Sequence, residues 1–252
     1  AFLQQNGSCN ARTAVLRLSA IAAKWGLSVP AAKRLLNLLV RRMFELNDGR
    51  VRQLRLGLSR LQQPDRRYVS FSFFTREEVA LLRQTALAQE FRRAQNEIRH
   101  KGRAVFQDFD VCFPAPRIGA FDQVAAQLET GLFRASVDLP NPPFSAALNL
   151  ADFAIQHYPV GARGIGIHRD GMRYRQIVVI ITLDGSSRLF TCADRQGRAK
   201  RRIDDRPGRL VLLSADGFAG RSGEDARPLH GVDQVNGGRL SLGLRTAPET
   251  TV

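Results

Sequence analysis

The spacing of apolar residues changes character along the chain. From Thr13 to Leu46 it is helical: in "IAAKWGLSVPAAKRLLNLL" the positions Ile21, Ala22, Trp25, Leu27, Ala32, Leu35 and Leu36 fall on helical spacings. Gly26 separates two such stretches, Ser28 suits the cap of the second, and Pro30 suits its first turn. A helix-turn-helix unit fits this pattern, with a second helix presenting Lys33 and Arg34, then Arg41 and Arg42, to DNA. A helical hairpin packed on a neighbouring domain fits it equally. The next stretch, "VRQLRLGLSRL", matches both a helical and a strand period, and "QQPDRR" reads as a linker ending near Arg67.

Beyond Arg67 the period shortens. "YVSFSFF" predicts a strand, and Thr75 with Glu78 three residues later forms a capping-box signature that opens a helix reaching about Asn96. Residues 97–150 mix short apolar pieces with Gly and Pro, as loops and short strands do. From Asp152 the strands are plain: "FAIQHY", "QIVVIITL", "RLFTCA", "RLVLLSA" and "RLSLGLR", separated by turn pairs such as Asp184-Gly185 and Pro207-Gly208. Short strands at this density predict a sandwich or jelly roll within an α+β chain. The expected organisation is a basic helical region over 1–67 and a β-rich domain over 68–252.

Composition changes this picture mainly through charge. A chain of 252 residues with 44% hydrophobic and 24% charged residues has enough apolar material for a folded core. No apolar run approaches the roughly 18 residues that a membrane-spanning helix needs. The 3 cysteines, Cys9, Cys112 and Cys192, are odd in number and widely spaced. That is no disulfide framework, and it predicts a reducing intracellular setting, cytoplasmic or nuclear. The net charge is +15, and residues 1–67 hold 13 Lys and Arg against 3 Asp and Glu. Such asymmetry predicts a polyanionic partner, nucleic acid first, either DNA or RNA. A basic composition that serves solubility is the plainer reading.

The candidate chemistry lies in the strands. "GIGIHRDG" places His168 and Asp170 two apart, on one face of an extended segment. The chain has 4 histidines, and the last, His230, opens "HGVDQVNGGRLSLGLR". Two histidines and a carboxylate on one face of an octahedron leave open positions, the arrangement of non-haem Fe(II) oxygenases. A dicarboxylate co-substrate then needs a cation for its far end, for which the planar fork of Arg is suited. Arg239, Ser241 and Arg245 alternate on one face of the last strand, which predicts that all three point inward. His100 and His157 read as structural or surface residues, and Phe106, Phe109 and Phe113 as core. The basic stretch from Asp194 to Arg202 reads as a solvated hairpin, with a phosphate-contacting rim as its alternative.

The HxD pair, the distant His-Gly-Val and the closing "RLSLGLR" resemble the Fe(II)/2-oxoglutarate-dependent dioxygenases, specifically the AlkB-like branch. "QHYPVGARGIGIH" is similar to that branch's approach to its first metal histidine. The likeness covers about residues 150–246 well and 68–150 in outline. It implies a double-stranded β-helix (jelly-roll) core with His168, Asp170 and His230 as iron ligands. Arg239 would hold the distal carboxylate of 2-oxoglutarate and Arg245 would lie near its metal-bound end, with Tyr158, Gln156 and Ser241 adding hydrogen bonds. O2 would complete the set of co-reactants. Tyr158 stands one residue farther from the metal histidine than in the branch, Gln156 replaces an Asn, and no aromatic lid is recognisable, the single Trp being Trp25. The implied activity is oxidative demethylation of a nucleic-acid base. The alternatives are hydroxylation of a small molecule or protein side chain, or nucleic-acid binding without chemistry.

Overall fold

The computed structural model describes residue 24, residues 26–100 and residues 103–246. The chain divides into two compact units, residues 1–45 and 46–252. In the first, helix α1 spans Val29–Met43; Ser28 Oγ accepts the N–H of Ala31 at 3.4 Å, and Pro30 sits in the first turn. Lys33, Arg34, Arg41 and Arg42 are all exposed. The helix expected before Gly26, with Trp25, lies outside the described residues, so a helix-turn-helix arrangement is not on view.

The second unit opens with α2, Asp48–Leu61, capped by Asn47. Its sequence suits two periods, and burial of Val51, Leu54, Leu58 and Leu61 on one helical face selects the helix. Gly57 lies so close to the Phe71 ring that a Cβ there would meet it at 2.5 Å. Strand β1 (Tyr68–Ser72) leads into α3 (Arg76–Leu87), whose capping box between Thr75 and Glu78 is formed as expected. The helix stops at Leu87, well short of Asn96. Past that point the backbone is recruited by a sheet edge: β2 (Arg92–Arg93) pairs with Asp110 and Val111, and Ala94 N–H donates to Phe109 O at 3.1 Å. Tertiary pairing overrides the helical spacing.

Strands β3 (Glu97–His100), β4 (Arg103–Asp108) and β5 (Asp110–Cys112) precede the long helix α4, Ala120–Val137. Then come β6 (Asp152–Tyr158), β7 (Gly164–His168), β8 (Ile177–Gly185), β9 (Arg188–Cys192), β10 (Arg201–Arg202) and β11 (Arg209–Ser214). A short helix α5 (Gly223–Ala226) leads to β12 (Leu229–Asp233) and β13 (Arg239–Arg245). The strands form a seven-stranded sheet, β1-β11-β8-β13-β6-β5-β2, and a six-stranded sheet, β10-β9-β12-β7-β4-β3. The pairings within both are antiparallel. The chain alternates between sheets from β6 to β9 and again from β11 to β13, which brings distant segments to one place.

Side chains from both sheets share one core cluster, including Tyr158, Ile165, Val178, Leu189, Val211 and Val232. The larger sheet is covered on its other face too, where Phe121 of α4 meets Phe153 of β6 at 6.3 Å between ring centroids. That double burial explains why "QIVVIITL" is apolar without alternation. Phe109 is buried in the core as expected, whereas Phe113 is exposed and Phe106 is half-buried beneath the Arg163 guanidinium.

Candidate active site

The site is shaped by an irregularity in the pairing of β7 with β12. His230 of β12 faces His168, and Val232 faces Ile165, so three steps along β7 span two along β12. Without this bulge His168 and Ile165, an odd number apart, would point to opposite sides; with it, both line one cavity. Two glycines let the strands close on each other there. Gly164 has φ +92° and a Cβ on it would lie 2.0 Å from Val232 O; one on Gly231 would lie 2.9 Å from Ile165 O.

The candidate ligand atoms of His168, Asp170 and His230 all lie within 4.8 Å of one another. Each histidine is tethered through Nδ1, His168 to Gly166 O at 2.8 Å and His230 to Pro228 O at 3.1 Å. A carbonyl only accepts, so Nδ1 carries the proton and Nε2 keeps its lone pair, which is what a metal requires. Burial pushes His168 down to about 4, helped by His230 and opposed by Asp170. Burial alone would raise Asp170, but the charges of His230 and Arg245 outweigh it and hold the carboxyl below its ordinary value. At neutral pH His168 therefore offers a neutral imidazole and Asp170 a carboxylate, and His230 stands beside both. The donor set suits a divalent ion such as Fe(II).

Strand alternation does not place Asp170, because β7 ends at His168. Two arginines do. Arg245 Nε lies 3.4 Å from Asp170 Oδ1, and Arg227 Nη1 donates to the Asp170 carbonyl at 2.7 Å. Arg227 is buried, and its own carbonyl accepts from Arg169 Nε at 3.0 Å. This exchange staples the loop carrying Asp170 to the segment that delivers His230. No local sequence signal marks Arg227, whose role depends on a loop about sixty residues away.

All eight residues expected at the site, His168, Asp170, His230, Arg239, Arg245, Tyr158, Ser241 and Gln156, line one cavity. Arg239, Ser241 and Arg245 alternate along β13 and point inward together, and Arg239 faces Tyr158 of β6 across the ladder. Arg245 stands at the metal end, where it also pairs with Asp152 at 3.2 Å and lies over the Tyr174 ring. Arg239, six residues away, is only 3% exposed, ion-paired with Asp205, and donates to Ser187 Oγ at 3.1 Å. Its Nε and the Tyr158 hydroxyl are both buried, and neither has a hydrogen-bond partner. Burial pushes the Tyr158 phenol far up, only partly offset by the charges of Arg239 and Arg245, so it remains a donor. Two orphaned donors on residues that line one cavity fit the far carboxylate of 2-oxoglutarate.

The other expected residues are not among those that line this cavity. Lys33, Arg34, Arg41 and Arg42 belong to the first unit. His157 packs against Phe91. In the basic hairpin, Arg198 pairs with Asp194 and Lys200 with Asp233, while Arg201 and Arg202 on β10 are exposed. Among the described residues no helix is long and apolar enough to cross a membrane.

No protein-family model matches the sequence, nor does any curated protein. Solved structures do match. A Pseudomonas putida prolyl-4-hydroxylase aligns at a TM-score of 0.53 and 19% identity, over 77% of this chain and 98% of the other. A Trichoplax adhaerens prolyl hydroxylase, solved with a peptide fragment of the hypoxia inducible factor oxygen degradation domain, aligns at 0.54 and 15%, over 80% and 91%. An oxidoreductase of the 2OG-Fe(II) oxygenase family from Burkholderia pseudomallei aligns at 0.52 and 14%, over 81% and 93%. These neighbours support the broad oxygenase likeness and not the narrower AlkB-like one. The chain has the fold of the 2-oxoglutarate- and Fe(II)-dependent oxygenases.

Proposed function

We propose that the protein is an Fe(II)- and 2-oxoglutarate-dependent dioxygenase, with a double-stranded β-helix core, that hydroxylates a protein side chain or a small molecule. One observation carries this reading: the His168–Asp170–His230 cluster and the orphaned donors of Arg239 and Tyr158 line the same cavity. When bound, iron with 2-oxoglutarate and O2 supplies the oxidising chemistry, and the protein supplies orientation and exclusion of water. His168, Asp170 and His230 would hold the metal. Tyr158 and Arg239 would bind the distal carboxylate, and Ser241 and Gln156, opposite each other in the ladder, would add hydrogen bonds along the co-substrate. Arg245 orients Asp170 by drawing on one of its oxygens, leaving the other for the ion. Val178, Ile180 and Leu189 give the cavity a dry aliphatic wall.

The prolyl hydroxylase neighbours support a peptide or amino-acid substrate. The net charge of +15, concentrated in residues 1–67, favours a second reading in which the substrate is a modified nucleic-acid base. Succinate release measured with Fe(II), 2-oxoglutarate and air against proline-containing peptides, free amino acids and methylated oligonucleotides separates the two. Stimulation by peptides or small molecules is expected. Stimulation by oligonucleotides alone would transfer the assignment to the second reading, and no co-substrate turnover under any condition would sink both.

A further inference from the structure

Arg239 is held from behind by residues that do not touch the cavity. Asp205, in the loop between β10 and β11, is 5% exposed and ion-paired with the guanidinium. The same carboxylate oxygen accepts from Thr182 Oγ1 of β8 at 2.9 Å. Ser187, in the turn between β8 and β9, accepts from Nη1 at 3.1 Å. The loop is itself anchored, since Ile203 is fully buried and its N–H donates to Leu189 O at 2.8 Å. Asp205 and Ser187 thus hold the guanidinium through Nη1, Thr182 backs Asp205, and the buried Nε is left without a partner.

We propose that Asp205, backed by Thr182 and Ser187, is a positioning residue that sets the orientation of Arg239 and with it the length of dicarboxylate accepted. This rests on the reading of Arg239 as the 2-oxoglutarate anchor. Two physical reasons lead to it. An arginine side chain has several rotatable bonds, and a planar fork binds a carboxylate well only when its plane is fixed. And the Asp205 charge balances that of Arg239, so an incoming carboxylate meets oriented donors and not a bare buried cation. Recognition by fixed donors discriminates by distance. A co-substrate one carbon shorter (oxaloacetate) or longer (2-oxoadipate) presents its far carboxylate in the wrong place.

The test uses Asp205→Ala, Asp205→Asn and Thr182→Val in the full chain, with Arg239→Ala as reference. Anaerobic calorimetric binding of 2-oxoglutarate, oxaloacetate and 2-oxoadipate to the Mn(II)-loaded protein is measured, then KM and kcat for 2-oxoglutarate turnover with Fe(II). Asp205→Ala should weaken 2-oxoglutarate roughly tenfold to a hundredfold, the scale seen when an orienting partner is removed from a ligating group. It should also shrink the preference over the two homologues, with Mn(II) affinity unchanged. Asp205→Asn keeps an acceptor and should recover much of the loss, while Thr182→Val should fall between wild type and Asp205→Ala. If the alanine variant does not fold, the asparagine and valine variants still read the same selectivity. Unchanged selectivity, or tighter 2-oxoglutarate binding, in the variants overturns the proposal: Asp205 would then be a fold contact or a competitor for Arg239. If Arg239→Ala itself leaves co-substrate binding intact, the anchor assignment fails instead.

Discussion

Replacing Tyr158 with Phe removes one oxygen from the most secluded polar corner of the cavity, and its effects should carry opposite signs with and without co-substrate. The residue is 1% exposed, its ring packs against Phe109 at 4.7 Å, and its hydroxyl has no partner among the described residues. A buried polar group left unsatisfied costs about 1–3 kcal/mol. Phe keeps the ring packing and sheds that cost, so the ligand-free protein should gain roughly 1 kcal/mol, or about 2–4 °C in Tm for a chain of this size. On the bound side, a hydrogen bond to a charged group contributes about 1.5–3 kcal/mol. The variant should therefore bind 2-oxoglutarate about tenfold to a hundredfold more weakly. Urea unfolding of the metal-free protein and anaerobic calorimetry of the Mn(II)-loaded protein read the two sides. Loss of stability together with unchanged 2-oxoglutarate affinity would refute the reasoning, because the hydroxyl would then be serving the fold.

Further outcomes follow from the same structure. His230→Ala should remove stoichiometric metal binding in an anaerobic Co(II) titration, and full retention of the metal would place the centre elsewhere. Arg227→Met, which frees the Asp170 carbonyl and loosens the approach to His230, should weaken that binding about tenfold to a hundredfold. Because burial lowers His168 to about 4 from an ordinary value of 6.5, the unfolded chain binds a proton that the folded one refuses between those values. Metal-free stability present above pH 6.5 should decline as pH falls toward 4, by up to about 1.4 kcal/mol per unit from this group. His168→Ala should flatten that slope in urea unfolding, and an unaltered slope would assign the acid sensitivity to other groups. Removing residues 1–45 should leave metal binding intact, whereas removing 1–67 strips the fully buried Leu54, Leu58 and Leu61 and should abolish it. Charge reversal at Lys33 and Arg34 should flatten the salt dependence of any oligonucleotide binding, and an unchanged slope would remove α1 from that role.

How much was legible in the sequence depended on whether a residue's partners lay in a regular element. Arg239, Ser241 and Arg245 could be put on one face because β13 is an unbroken strand, and a period of two needs no tertiary knowledge. His168 and Asp170 were found by their spacing, yet the reason offered, a shared strand face, is not what places them. A bulge turns His168, and two arginines from distant segments hold Asp170. A bulge is a relation between two strands and leaves only weak traces in either, here the glycines Gly164, Gly166 and Gly231. Asp205 was invisible for a similar reason: next to Asp204 in an arginine-rich loop it reads as a solvated acid, and only the fold buries it beneath Arg239. The strand run from Asp152 onward was plain because each piece is bounded by turn residues. The α3 terminus was not, since apolar spacing continued while the backbone had already been claimed by strand pairing.

The proposed function requires one cavity to hold a metal through His168, Asp170 and His230 and a dicarboxylate through Arg239 and Tyr158. Anaerobic calorimetric titration of 2-oxoglutarate into the protein, with and without Fe(II), tests it most directly. The expected result is one site per chain that depends on the metal, is lost in His230→Ala together with the metal, and is weakened in Arg239→Ala while the metal is retained. Binding of 2-oxoglutarate that ignores both the metal and Arg239 would contradict it.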